Sequence, residues 1–494
     1  MLTTGLNIGQ DAWFEVCSFL DVWDRCRLQQ TSREFNNLVS HPRAWTVVHV
    51  PYWEGVPPVR LQQWTLLRTF KVLWERTSTS YVAQFELRSR RPTRVDSLAG
   101  WKHLTCLDMG ATGVADLSPV TGLTALTDLR LCSVGLADLS PLAGLTRLTR
   151  LTLANTRVVD AGPLAGLTNL THLDLGSQQL RDVGPLGRLT NLTQLNLTAG
   201  KATNVDFLTS LIGLRELHLS CLRVTDVDFL TPLAVLTNLT CLHLWNNEVS
   251  TVAPLAGLTN LTDLNLFMSR LADLGALAGL TKLQSLFLSA PAVDDVSPLA
   301  GLTNLTSLNV SQSQISDLSP LARLKSLTSL SAYWTTIADL EGLAEITSLT
   351  TLDVSGTPIS NLGPLAGLQG LQTLNISSTG VADLTPLATC DRLIHLSLRR
   401  TRVADLQPLA TLTRLETLNV TSTRVVDLCP LVGLSRLTHL EADPMPYNAQ
   451  IQGSATQCML AAHPALSRFA ASPANPVSAF GSFTASAGCS LSLL

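Results

Sequence analysis

The chain has 494 residues, of which 46% are hydrophobic and 14% are charged, and its formal net charge is −3. This near-neutral balance excludes a general electrostatic attraction to nucleic acid or to an anionic membrane surface, so we expect neither as a partner. The ten cysteines are scattered, without a close Cys-x-x-Cys pair, which is typical of thiols in a reducing compartment rather than of a disulfide framework.

Nothing in the sequence predicts secretion or membrane insertion. The first eleven residues lack the basic segment and the uninterrupted apolar segment of a signal peptide. No run of about 18 apolar residues, the length that spans a bilayer, is present. We therefore expect a cytoplasmic or nuclear protein that is not secreted.

Residues 1–50 predict a small domain of three short helices. Within residues 8–20, apolar side chains recur at the i, i+3, i+4 and i+7 spacing of one helical face, at Trp13, Val16, Cys17 and Leu20. An aspartate then provides a cap for a second helix, and Thr31-Ser-Arg-Glu34 has the form of a capping box that begins a third.

These three helices resemble an F-box. The resemblance rests on Phe19-Leu20-Asp21, Trp23-Asp24-Arg25-Cys26-Arg27-Leu28, Thr31-Ser32-Arg33-Glu34-Phe35-Asn36, Leu38 and Trp45. In that family the apolar helical face docks onto the Skp-type adaptor of SCF cullin–RING ubiquitin ligases. The resemblance therefore implies an adaptor-binding face formed by Ile8, Trp13, Val16, Cys17, Phe19, Leu20, Leu28 and Trp45. The family usually begins with Leu-Pro where this chain has Ile8-Gly9, and a small helical cap for the following repeats is the alternative.

Residues 51–103 predict a linker, a helical cap and a degenerate first repeat. Prolines and glycines begin the segment, and apolar residues on a helical period then predict a helix that shields the first coil. Residues 82–87 lie 22 positions before residues 104–109 and have a related pattern. Terminal repeats are expected to be atypical, so we interpret 82–87 as the first strand.

A pattern Leu-x-x-Leu-x-Leu then recurs sixteen times between residues 104 and 443, and every step is 22 residues except one of 25 between Leu214 and Leu239. Alternation with period two predicts a short strand with one buried face. A turn follows, usually at threonine, and then an aspartate before Leu-x-Pro-Leu, which predicts a capped helical turn. One such coil cannot bury its leucines alone, whereas stacked coils bury them against each other.

The repeat resembles the short, internalin-like leucine-rich repeat. That resemblance implies an α/β leucine-rich-repeat solenoid, a curved parallel sheet of about 16 repeats. The family commonly has asparagine at the turn, and because threonine offers only a hydroxyl we expect a slightly looser turn. The three extra residues before Leu239 are expected to bulge on the convex side, near Asp228-Phe-Leu-Thr-Pro232. Residues 444–494, rich in Ala, Ser and Pro, predict a C-terminal cap followed by a disordered tail.

The concave face of such a solenoid carries the side chains that lie between the core leucines. Most of these positions hold small residues, which are poor anchors for a partner. The middle repeats differ because aromatic, histidine and polar side chains cluster there, and we predict a partner-binding surface formed by Glu216, His218, Cys241, His243, Trp245, Asn265, Phe267, Phe287 and Tyr333.

Two chemical interpretations of this cluster compete with protein binding. Two histidines, a cysteine and a glutamate are zinc ligand types, but structural zinc sites generally use tight local spacing. Cys241 and His243 form a possible nucleophile and base, but residues two apart on a strand are expected to diverge, and no oxyanion donors are evident. We therefore predict no metal, no cofactor and no catalytic residue.

An F-box-like domain followed by leucine-rich repeats predicts a non-enzymatic adaptor, the substrate receptor of an SCF-type ubiquitin ligase. Its partners would be a Skp-type adaptor and a cullin, through the N-terminus, and an unknown protein substrate on the concave face. The alternative is a cytosolic leucine-rich scaffold or phosphatase-regulator-like protein without a ubiquitin role. A cell-surface adhesin is opposed by the expected absence of secretion, and a repeat-built enzyme is the least favoured class.

Overall fold

The structure, a computed structural model, describes the strands at 47–50 and 84–87, Leu98, and residues 102–109, 114–132, 135–202, 204–220, 227–245, 249–267 and 270–443. The predicted F-box-like helices, the helix expected after residue 50 and the predicted tail 444–494 lie outside these residues. The chain divides into two compact units, Met1–Asn247 and Glu248–Leu494.

In the first unit, the described strands form a parallel sheet in which each strand pairs with the next along the chain. The strands are β1 (Val47–Val50), β2 (Gln84–Leu87), β3 (Cys106–Met109), β4 (Asp128–Cys132), β5 (Arg150–Thr156), β6 (His172–Ser177), β7 (Gln194–Ala199), β8 (Glu216–Ser220) and β9 (Cys241–Trp245). The strand β1, which belongs to the predicted N-terminal domain, is therefore a member of the repeat sheet.

The second unit has the same construction. Its described strands are parallel and paired in chain order. They are β10 (Asp263–Phe267), β11 (Ser285–Ser289), β12 (Ser307–Asn309), β13 (Ser329–Ser331), β14 (Thr351–Asp353), β15 (Thr373–Asn375), β16 (His395–Ser397), β17 (Thr417–Asn419) and β18 (His439–Glu441). The predicted leucine-rich-repeat solenoid is confirmed by these parallel strands and by a short helix between each pair of consecutive strands from β3 to β18.

Short 3₁₀ helices return the chain from one strand to the next. In the first unit they are Ser118–Val120, Ser140–Leu142, Gly162–Gly166, Gly184–Arg188, Asp206–Ser210 and Val227–Val235. In the second unit they are Ala253–Leu255, Gly275–Gly279, Ser297–Gly301, Ser319–Arg323, Glu341–Leu343, Gly363–Gly367, Thr385–Thr389, Gln407–Leu409 and Cys429–Leu431. Within the described ranges, no helix has the length and apolarity needed to cross a membrane.

Aspartate accepts a backbone N–H at the start of eleven of these helices, as the sequence predicts. The backbone N–H of Ser118 donates to Asp116 Oδ1 at 2.8 Å, and that of Gly162 donates to Asp160 Oδ1 at 2.7 Å. The same bond joins Asp138–Ser140, Asp182–Gly184, Asp273–Gly275, Asp295–Ser297, Asp317–Ser319, Asp339–Glu341, Asp383–Thr385, Asp405–Gln407 and Asp427–Cys429. The repeated aspartates are therefore structural.

Leucines of neighbouring coils lie in register and form the core. Leu151 pairs with Leu129 on one side and with Leu173 on the other. Burial of each such side chain contributes about 1.5–3 kcal/mol. In one coil the side chains that are 0–1% exposed are Leu148, Leu151, Leu153, Val158, Ala161, Leu164 and Leu167.

The turn threonines satisfy a backbone carbonyl. The hydroxyl of Thr357 donates to the Val354 carbonyl at 2.6 Å, and Thr335, Thr379, Thr401 and Thr423 make the same bond three residues back. The residue before the threonine takes a left-handed backbone conformation, for example Gly356 with φ 68° and Trp334 with φ 53°. Threonine thus replaces part of the asparagine function; the looser turn stays a prediction.

The 25-residue step is accommodated where the sequence predicts. The helix Val227–Val235 has nine residues and contains Pro232, whereas the other described 3₁₀ helices have three to five residues. The extra residues therefore lengthen the return segment and leave the pairing of β8 with β9 in register.

Candidate protein-binding surface

The outward residues of β8 and β9 lie side by side in the first unit. Glu216 pairs with Cys241, His218 with His243, and Ser220 with Trp245. The leucines between them are 0–1% exposed and point into the core. Because side chains alternate across a strand, the outward residues share one face, as the sequence predicts.

Three aromatic rings on this face form a continuous stack. The ring centroids of His218 and His243 are 4.3 Å apart and those of His243 and Trp245 are 5.7 Å apart, with both pairs 18° from parallel. His243 lies in the centre and is 9% exposed. The ring of His243 is therefore held on both sides, by the cross-strand partner and by the next outward residue of its own strand.

Cys241 lies against both histidines. Its Sγ is 3.5 Å from Nε2 of His218 and 3.5 Å from Nε2 of His243. The expectation that Cys241 and His243 diverge is wrong, because the imidazole of His243 turns back along the strand towards the thiol. The ligand atoms of the three residues lie within 4.8 Å of one another.

The second unit carries its own aromatic pair. Asn265 of β10 pairs with Phe287 of β11, and the rings of Phe267 and Phe287 meet edge to face with centroids 5.6 Å apart. Both rings are half-buried. Asn265 Oδ1 accepts the backbone N–H of Phe267 at 3.0 Å, so this side chain also stabilises the end of its strand.

Tyr333 belongs to a further aromatic pair that includes a residue the sequence analysis missed. The rings of Tyr333 and Trp334 are 5.8 Å apart and 80° from parallel, and Trp334 is 64% exposed. Burial, followed by the charge of Asp353, raises the pKa of the Tyr333 hydroxyl. An indole at the position before the turn threonine is the signal that identifies Trp334 in the sequence.

Small residues elsewhere on the outward face bond to one another. The hydroxyls of Ser311 and Ser331 are 3.1 Å apart, and those of Ser377 and Ser397 are 2.7 Å apart. These positions form polar ladders between neighbouring coils. The aromatic side chains are larger than these serines and offer the contact area that is needed to anchor a partner.

The adaptor-binding face implied for the N-terminus lies outside the described residues. Ile8, Trp13, Val16, Cys17, Phe19, Leu20, Leu28 and Trp45 therefore stay sequence predictions. The site residues placed by the structure are those on the repeats.

Two protein families match segments of the chain. The F-box domain family matches residues 6–47, and the family described as leucine rich repeats (2 copies) matches residues 146–187 and 347–389. Both families typically comprise binding or adaptor modules. An F-box implies binding to a Skp-type adaptor, and leucine-rich repeats imply protein binding. No curated protein matches the chain.

Solved structures share the repeat fold. A leucine-rich-repeat protein of Leptospira interrogans has 22% identity and a TM-score of 0.66, and the match covers 76% of this chain and 98% of that one. An internalin of Listeria monocytogenes has 24% identity and a TM-score of 0.42, with 77% and 95% covered. The first likeness supports the fold alone.

Proposed function

We propose that this chain, an F-box protein with leucine-rich repeats, is the substrate receptor of an SCF-type cullin–RING ubiquitin ligase in the cytoplasm or nucleus. The N-terminal domain binds a Skp-type adaptor and, through it, a cullin. The outward face of the repeats holds the substrate protein. Ubiquitin transfer belongs to the partners, and this non-enzymatic chain supplies proximity.

The observation that carries the proposal is the joining of two binding modules in one chain. The F-box match at 6–47 precedes the repeats, which extend through residue 443. A module that docks onto the ligase and a module of repeats that binds another protein are the two parts that a receptor requires. Solenoids commonly use such extended surfaces for binding.

Each unit carries aromatic groups on its outward face that can anchor a substrate. On the first unit these are His218, His243 and Trp245, and on the second they are Phe267 with Phe287 and Tyr333 with Trp334. Large, partly exposed aromatic side chains on a rigid support are typical of the residues that dominate binding energy. Glu216 and Asn265 provide polar contacts beside them.

Binding of the purified full chain to a purified Skp-type adaptor tests the ligase-receptor assignment. We expect a stoichiometric complex, and we expect the double substitution Phe19→Asp and Leu20→Asp to abolish it, because charges on the apolar helical face cannot be buried unpaired. The matched control Gln29→Asp, at a polar position, should bind as the unchanged chain does.

Failure of the unchanged chain to bind adaptor would favour the alternative of a leucine-rich scaffold or phosphatase-regulator-like protein. The feature that favours this alternative is Ile8-Gly9, which replaces the usual Leu-Pro opening. The aromatic surfaces of the repeats would then serve a partner outside the ubiquitin pathway.

A further inference from the structure

We propose that His218, Cys241 and His243 bind a zinc ion on the outward face of β8 and β9. Imidazole nitrogen and cysteine thiolate are the preferred zinc ligands in proteins. One ligand atom from each of the three residues lies within 4.8 Å of the others. The site stands on the repeats alone and is independent of adaptor binding by the N-terminus.

The two nitrogen–sulfur distances fit a tetrahedral ion. Zinc lies about 2.0–2.1 Å from a histidine nitrogen and about 2.3 Å from a cysteine sulfur, so a tetrahedral angle places nitrogen and sulfur about 3.6 Å apart. Cys241 Sγ is 3.5 Å from Nε2 of His218 and 3.5 Å from Nε2 of His243. Two edges of the coordination tetrahedron are therefore already formed.

The sheet fixes the positions of these donors. His218 and His243 are cross-strand partners, and Cys241 is two residues before His243 on the same face. Ligands far apart in sequence are thus held by backbone pairing rather than by a local loop, and sites built on strands are held more firmly than sites on loops. Tight local spacing is not needed at this site, because the repeat register brings the three donors together.

Ion binding requires the two imidazoles to rotate out of their stacked arrangement. The two imidazoles are 18° from parallel, and their Nε2 lone pairs must converge on one point to share an ion. Rotation about the terminal side-chain torsion, which is broad for histidine, supplies this tilt. Trp245 lies against the other side of His243 and limits how far that ring can move away.

The donor set selects the class of metal. Thiolate and imidazole favour zinc and related transition metals over magnesium and calcium, which prefer oxygen ligands. In the described part of the chain three donors form the group. Three protein ligands leave the fourth tetrahedral position for water or another ligand, as in zinc sites that exchange ligands.

This open position gives the ion a role in recognition, an inference that rests on the proposed function. The site lies among the aromatic residues of the substrate surface, so a histidine, cysteine or carboxylate side chain of the bound protein can complete the coordination. Recognition of the substrate would then depend on zinc.

Titration of the metal-free full chain with Co²⁺, which reports tetrahedral thiolate coordination by its absorption, tests the site. We expect a thiolate-to-cobalt charge-transfer band at one equivalent, with loss of the band when Zn²⁺ is added. Substitution of a ligand should weaken binding about 100-fold or more, since even the loss of a supporting group costs 10–100-fold. The variants are Cys241→Ser, His218→Asn and His243→Asn.

Matched controls separate this site from the other thiols and histidines. Cys132→Ser and His395→Asn change outward residues of other strands and should leave the band unchanged. Because His218 is half-exposed, we expect His218→Asn to fold even if Cys241→Ser does not. Circular dichroism verifies the folding of each variant. Absence of the band, or full binding by any one of the three ligand variants, overturns the proposal.

Added imidazole tests the open position. As a substitute for a histidine side chain, imidazole should shift the visible cobalt bands, whereas an unchanged spectrum would contradict the role in recognition. Adaptor binding by Cys241→Ser should equal that of the unchanged chain. Failure of the zinc site and failure of the ligase assignment are therefore distinguishable.

Discussion

Each of the turns after β12 to β17 contains one hydroxyl that donates to the backbone carbonyl three residues before it. Thr357 is 3% exposed and donates to the Val354 carbonyl, so the side chain that the sequence places at the turn satisfies a buried backbone group. The backbone conformation before it does not follow from residue type. Trp334, Ser378 and Arg400 all have φ between 53° and 56°, although none of these residues favours the left-handed region.

Replacement of Thr357 by valine is expected to lower the free energy of unfolding by about 1–3 kcal/mol. Valine has the same shape but leaves the Val354 carbonyl without this buried donor. Denaturant unfolding measures the change. The control Thr347→Val, at an exposed position, should change stability by no more than about 0.5 kcal/mol. Equal effects of the two substitutions would contradict the role of the hydroxyl.

The repeat register predicts which residues of the candidate surface point outward. It does not predict that their side chains approach one another. Alternation along the strand predicts that His218, Cys241 and His243 share a face. The sequence gives no rotamers, so it cannot predict that both imidazoles turn towards the thiol. Trp334 was missed for a related reason, since its position lies beyond the alternating strand and its exposure depends on the turn.

The aspartates that cap the 3₁₀ helices should make the free energy of unfolding sensitive to acid. The hydroxyl and then the N–H of Ser297 lower the pKa of Asp295, and Thr385 acts in the same way on Asp383. For Asp317 the N–H of Ser319 contributes first and its hydroxyl second. These bonds favour the ionised carboxylate. Stability from the three caps is therefore present above the ordinary pKa of 3.8 and is lost as the pH falls through the lowered values.

The triple substitution of Asp295, Asp317 and Asp383 by asparagine is expected to reduce this acid sensitivity. Asparagine keeps the backbone bond without titrating, as Asn361 does when it accepts the N–H of Gly363 at 2.9 Å. The unfolding midpoint, measured from pH 2.5 to 7, should fall less steeply below pH 4 than in the unchanged chain. The matching triple alanine variant should be less stable at neutral pH. An unchanged acid profile in the asparagine variant would contradict the assignment.

The stability that each strand leucine contributes should depend on how many neighbouring coils cover it. Leu352 is 0% exposed between β13 and β15, whereas Leu440 occupies the same repeat position in β18 and is half-buried. Leu352→Ala is expected to cost about 2–5 kcal/mol, and Leu440→Ala clearly less, because the cavity term is smaller where packing is incomplete. Denaturant unfolding of both variants tests this, and a larger loss at Leu440 would contradict it.

For the whole chain, the repeats are the part that sequence predicts best. A fixed period of 22 residues specifies the strand, the turn and the helix of each coil together. Every further repeat with the same pattern therefore supports the same structural assignment. The beginning of the sheet was harder to predict. The strand β1 lacks the leucine pattern, yet it pairs in register with β2, so sequence reasoning grouped Val47–Val50 with the F-box-like helices.

This placement of β1 determines where the N-terminal domain can be removed. A deletion of residues 1–50 takes away a strand that pairs with Gln84–Leu87, whereas a deletion of residues 1–46 leaves this strand in the chain. The shorter deletion removes nearly all of the F-box match at 6–47. It is therefore the variant that separates adaptor docking from the integrity of the repeats.

Affinity purification of the full chain beside the chain lacking residues 1–46 tests the receptor assignment most directly. Quantitative mass spectrometry measures the Skp-type adaptor and the cullin in each purification, and circular dichroism verifies that the repeats remain folded. The assignment predicts that both ligase subunits accompany the full chain and that neither accompanies the shortened one. A full chain that retains its repeats but recovers no adaptor or cullin would contradict it.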